Sequence, residues 1–133
     1  MDSEALRALV VVAAQLSGYH VPAAQLQVEP VNADVMAGLA CRGRANCRVY
    51  ALYQDHDVIF IREDLTPKAT DHVLVHEIVH WLQHHSGKFS LRPDACVDIA
   101  RRETEAYRVQ NRYVAEIQQD IGSYPPPNFT CAP

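Results

Sequence analysis

The sequence predicts an α+β domain, and three observations predict it. Apolar residues recur at the helical period near the N-terminus and along two long segments of the second half. Between them lie two β-branched and aromatic runs, "RVYALY" and "DVIFI", separated only by "QDH". No Gly-, Ser- or Pro-rich linker divides the chain, so residues 1–133 read as one domain. Helix, small sheet with a hairpin, helix, turn and helix is an α+β order.

Each element has its own signal. Residues 3–17 place Leu6, Leu9, Val10, Ala13 and Leu16 on one stripe, and Gly18 stops the helix. "LQVEPV", residues 26–31, reads as a short strand that Pro30 confines to a sheet edge. Asn32 caps a short helix through Ala40. Residues 48–53 and 57–61 form the hairpin. Thr66 caps a long helix with Pro67 at its first position, and Gly87 ends it after Ser86. A turn follows in "GKFSLRPD", and Asp94 caps a second long helix over roughly 95–120. The tail "GSYPPPNFTCAP" has no regular pattern.

Composition excludes several function classes. Hydrophobic residues are 48% and charged residues 21% of the 133, as in an ordinary globular protein. The net charge of −4 is mild, and scattered Lys and Arg give no footprint for nucleic acid. No apolar run approaches the roughly 18 residues of a membrane span. The N-terminus carries Asp2 and Glu4 where a secretory signal would be basic. Either the chain is cytoplasmic or it begins after a removed signal. Four cysteines bear on that choice. Cys41–Cys47 would close a short turn and Cys96–Cys131 would tie down the Pro-rich tail; four buried free thiols are the alternative. Disulfides would place the protein in a periplasmic or secreted setting, free thiols in the cytoplasm.

Five of the seven histidines fall within "DHVLVHEIVHWLQHHSG", residues 71–87. His72, His76, His80 and His84 recur every fourth residue, so each neighbouring pair lies on one helix face. Only His76 is followed by a carboxylate. In His76-Glu77-Ile78-Val79-His80, two imidazoles can hold a metal while Glu77 stands one step round the helix, able to act as a base without ligating. Seven His and seven Glu would produce this pattern in about 2% of shuffled chains. His72, His84 and His85 are expected to be solvated or to support the ligands. A catalytic zinc site takes a third protein ligand and keeps one position open.

The second long helix offers Glu103 and Glu105. Cys96, Ile99, Ala100, Ala106, Tyr107, Gln110, Tyr113, Val114 and Ile117 form one stripe, which contains Glu103. A carboxylate there needs a cation, either a metal or a buried arginine. Glu105 shares the other face with Arg101, Arg108 and Arg112, and reads as a solvated residue held by ion pairs. If the helices are antiparallel, Glu103 lies about 13 Å into the second and His76–His80 about 12 Å back from the end of the first, so the three groups are level.

His76-Glu77-x-x-His80 followed by Glu103-Thr104-Glu105-Ala106-Tyr107 is similar to the gluzincin metallopeptidases, and resembles small bacterial zincin-like proteins with a hairpin before the motif and "EAYxxQ" after it. The likeness spans roughly residues 48–115; Tyr107 stands where those families commonly have Asp or Asn. It implies a minimal zincin-like domain: a small sheet packed on a zinc-binding helix pair, plus an N-terminal helix. It implies Zn2+ on His76, His80 and Glu103, Glu77 as general base, and peptide hydrolysis. Strand 58–61 would be a sheet edge that pairs with an extended peptide or protein substrate. Tyr107, ahead of Tyr113 and Tyr53, is the candidate to stabilise the oxyanion. The small size leaves room for a homodimer or a protein partner completing the cleft. The alternative function is a non-catalytic, zinc-stabilised interaction or inhibitory module.

Overall fold

The structure, a computed structural model, describes residues 1–89, 96–126 and 131. It is mixed α and β. Helix α1 spans Ser3–Ser17; the Asp2 carboxylate caps it by accepting from the Ala5 amide at 2.7 Å, and Gly18 leaves it in a left-handed conformation at φ 84°. Its stripe buries Leu9, Val10, Ala13 and Ala14. Strand β1 is Gln27–Val31, and helix α2 is Ala33–Ala40, capped by Asn32 on the Val35 amide at 2.8 Å. Strands β2 (Ala51–Gln54) and β3 (Val58–Arg62) form the expected hairpin, with β2 shorter than the 48–53 predicted.

The sheet order is β1-β3-β2, with β1 parallel and β2 antiparallel to β3. Pro30 does sit on an edge strand. The edge role expected for residues 58–61 is corrected: β3 is the central strand, because β1 takes up its outer side, and β2 is the other edge. Ile59 and Ile61 of β3 point into the core.

Helix α3, Pro67–Ser86, is the axis of the molecule. Thr66 caps it on the Ala69 amide at 3.2 Å, Pro67 opens it, and Gly87 closes it at φ 69°. It packs against α1, β2, β3 and the last helix, α4, which spans Cys96–Glu116. That is why Leu74, Val75, Ile78, Val79, Trp81 and Leu82 are all buried. The hairpin is fastened to α3 by Asp57, whose carboxylate accepts from Nε1 of Trp81 at 2.8 Å and Nε2 of His85 at 2.6 Å.

Two details of α4 depart from expectation. The helix ends at Glu116 rather than near 120, where Gln119 turns left-handed at φ 54°. Ile117, read as part of the buried stripe, is 51% exposed because it lies beyond that end; Val109, outside the stripe, is buried. The expected cap Asp94 and most of the turn before α4 lie outside the described residues. Both disulfides form as predicted, Cys41–Cys47 and Cys96–Cys131. Among the described residues no helix is long and apolar enough to cross a membrane.

Candidate metal centre

His76 and His80 stand one turn apart on the same face of α3, and α4 crosses beside that face. This brings His76, His80 and Glu103 together, with one ligand atom from each within 4.8 Å of the others. The two Nε2 atoms are 3.3 Å apart, and Nε2 of His76 is 3.5 Å from Oε2 of Glu103. Donors on a tetrahedral zinc with bonds of roughly 2.0–2.1 Å stand roughly 3.3 Å apart. The three residues could therefore hold a metal ion. Without metal, His80 Nε2 hydrogen-bonds Oε1 of Glu103 directly. Among the described residues the ion-pair partners of Glu103 are the two histidines, and the alternative arginine partner is not among them.

Electrostatics follow from that cluster. Burial raises Glu103, but hydrogen bonds from His76 and His80 overcome it and hold the carboxyl well below the usual carboxylate range. Burial lowers His80, yet its bond to Glu103 and the charges of Glu77 and Glu103 raise it to about 9.

Glu77 stands beside the triad, not in it. Its Oε2 accepts the backbone N–H of Tyr53 on β2 at 3.1 Å. Burial raises its carboxyl, against the lowering charges of His80 and His76. Tyr107 sets its ring edge-on to His76, with centroids 4.4 Å apart, and burial followed by the charges of Glu103 and Glu77 raises its phenol. The Tyr53 hydroxyl is engaged with Nδ1 of His84 at 2.6 Å. Tyr113 is buried in the core, away from the cleft, which removes it as an oxyanion candidate.

Two buried glutamines hold His80 and His76 in place. Nδ1 of His80 pairs with Oε1 of Gln83 at 2.8 Å, and Nδ1 of His76 with Oε1 of Gln110 at 2.9 Å. Gln83 in turn donates to the Arg102 carbonyl at 3.0 Å and to Oε1 of Glu105 at 3.2 Å. The reading of Glu105 as a solvated residue paired with arginines is therefore corrected. Its side chain is 11% exposed against 24% for Glu103, and it is held by Tyr19, Gln83 and Lys88, the last at 2.9 Å. The chain after α1 lies against that face of α4, which the spacing of arginines could not reveal. His72 is buried behind Gln110, outside the group of His76, His80 and Glu103, while His84 and His85 are partly exposed and engage Tyr53 and Asp57.

The triad lies where two cavities meet. One of ≈ 730 Å³ runs along β2 and is walled by Tyr107 and Tyr124; the other, of ≈ 520 Å³, is walled by His84, Phe89 and Arg102. Leu52, Tyr53, His80 and Glu103 line both. No family model, no curated protein and no solved structure matches the chain.

Proposed function

We propose that this is a minimal zincin-like, gluzincin-type peptidase that binds Zn2+ on His76, His80 and Glu103. One observation carries the reading: Glu77 lies beside the convergent ligand atoms without joining them, a placement of no use to a purely structural metal site. Zinc, when bound, supplies Lewis-acid polarisation of the scissile carbonyl and brings the pKa of water towards 7. The chain supplies the rest. The Tyr53 N–H fixes Oε2 of Glu77, leaving Oε1 to take the proton of the attacking water and later hand it to the leaving amine. A raised carboxyl pKa suits a group that must accept a proton near neutrality. Tyr107 lines the same cavity as Glu77 and is the candidate donor for the oxyanion.

An extended peptide would lie along β2. The N–H of Arg62 donates to the Tyr50 carbonyl at 2.8 Å, so by strand alternation Leu52 turns its backbone groups towards β3 while Ala51 and Tyr53 turn theirs away. The Tyr53 N–H is engaged by Glu77, which leaves the Ala51 backbone groups and the Tyr53 carbonyl for a substrate strand. The two disulfides favour an oxidising periplasmic or extracellular compartment.

The test is incubation of the zinc-loaded protein with a diverse peptide mixture, read by mass spectrometry, beside Glu77→Gln. Cleavage by the wild type alone is expected. Stoichiometric zinc with no cleavage by either protein would select the non-catalytic module instead.

A further inference from the structure

The hydrogen bonds behind His76 fix one another in order. His76 faces the other ligands through Nε2, so a ligating ring carries its proton on Nδ1. That N–H must donate to Oε1 of Gln110, 2.9 Å away. The amide nitrogen of Gln110 then points the other way, 2.8 Å from Nδ1 of His72. An amide nitrogen only donates, so Nδ1 of His72 accepts. The His72 proton is left on Nε2, where it faces the Tyr124 hydroxyl at 3.3 Å.

We propose that His72, itself no ligand, is a positioning residue for His76: by accepting through Nδ1 it holds the Gln110 amide in the one orientation that keeps His76 in its metal-ligating tautomer. The inference rests on the ligand role given to His76 above. Its converse shows why. A proton on Nδ1 of His72 would oppose the amide N–H of Gln110. Turning the amide over to relieve that clash presents an N–H to Nδ1 of His76 and drives its proton to Nε2, the atom the metal needs.

The other ligand is secured differently. Gln83 donates to a backbone carbonyl and to Glu105, whose carboxyl is held below the usual range against burial by Lys88, Tyr19 and Gln83 itself. Both partners are acceptors, so Gln83 cannot turn over. His76 alone depends on a group that can change roles. The outer end of its chain is anchored: Tyr124 stacks on His72 with centroids 4.7 Å apart, and Asn111 clasps the Tyr124 backbone at both N–H (2.7 Å) and C=O (3.0 Å). Burial lowers the His72 pKa, against the raising charges of Asp71 and Asp120, which favours the neutral ring.

The experiment compares wild type, His72→Phe, Gln110→Glu and the double variant by zinc titration against a chelating dye, with 1H–15N imidazole spectra of the zinc-loaded proteins. His72→Phe should weaken zinc about 10- to 100-fold, as loss of a group supporting a ligand does. In the Gln110→Glu background it should weaken zinc little, because a carboxylate accepts from His76 whichever way it turns. A merely structural role for His72 would lower affinity equally in both backgrounds and overturns the inference. The spectra should show no proton on Nδ1 of wild-type His72 and one there in Gln110→Glu; the opposite pattern overturns it too. If His72→Phe fails to fold, these spectra decide alone. A wild type that binds no zinc removes the ligand reading, and the positioning role with it. Zinc binding with the wrong spectra removes the positioning role only.

Discussion

The Tyr53 backbone N–H donates to Oε2 of Glu77 across 3.1 Å, joining the edge strand of the sheet to the residue after His76. The contact requires β2 to be the edge, because a strand paired on both sides has no N–H to spare. It also separates the carboxyl's two oxygens by role, one fixed and one free.

Glu77→Gln should therefore keep the fold and the zinc and lose hydrolysis, by about 10²- to 10⁴-fold, the usual contribution of a general base. Metal analysis and peptide cleavage on the same preparation check both halves. Loss of zinc would make Glu77 a ligand and undo the division of labour proposed for this site.

Glu103→Gln should lower zinc affinity by orders of magnitude, because it removes one of three ligands. Glu105→Gln should act by another route. It loses a charge-assisted bond from Lys88 and loosens the Gln83 amide behind His80. About 1–2 kcal/mol of stability should go with it, and about tenfold in zinc affinity. Zinc titration and urea unfolding of the two variants separate these effects. A Glu105→Gln protein indistinguishable from wild type in both would return Glu105 to the solvent.

With His80 a zinc ligand as proposed, proton and metal compete for it. Its metal-free pKa is raised to about 9 against an ordinary 6.5, so zinc must displace a proton below that pH. Affinity should rise about tenfold per pH unit towards pH 9 and then level, apart from other titrating groups. The sign for stability is the reverse. A raised histidine stabilises the metal-free fold fully below pH 6.5 and loses that contribution as pH climbs through 9. Glu103 is depressed, so its contribution is present above its ordinary 4.5 and fades in acid. Denaturant unfolding of metal-free protein at pH 6.5 and 9.5 should show the loss. Equal stability at the two values would mean that the pair does not form.

Replacing Cys96 and Cys131 by serine should destabilise the protein more than replacing Cys41 and Cys47. The sequence separations are 35 and 6, for which loop entropy alone gives about 4 and about 2 kcal/mol. Urea midpoints of the two double variants measure the difference. The reverse order would show that the short bridge does more than close its loop.

Helix ends were legible in the sequence because caps are local. Asn32, Thr66, Pro67, Gly18 and Gly87 each act within a few residues of themselves, and each marks an observed boundary. The gathering of His76, His80 and Glu103 was legible for a related reason: helical phase alone aligns His76 with His80 and puts Glu103 on the side towards them. The strand order was not. Whether residues 58–62 form an edge or a centre depends on where residues 27–31 pair, and no local feature encodes a parallel partner so distant in the chain. Glu105 was misread because the residue that covers it, Tyr19, belongs to another element. Gln83 and Gln110 left a usable signal, since an uncharged amide on an apolar helix face must bond to something buried.

Helix α4 starts at Cys96, only seven residues, or about two turns, ahead of Glu103. Helices fray inward from their ends, and this end carries Glu103, the proposed third ligand. The bond to Cys131 pins the first residue of α4 and limits that fraying. Exposure to a reductant would leave the two histidines where they are, in the middle of a buried helix, while loosening the presentation of the carboxylate opposite them. The thiol–disulfide balance of the surroundings would then act on metal retention from a distance of two helical turns.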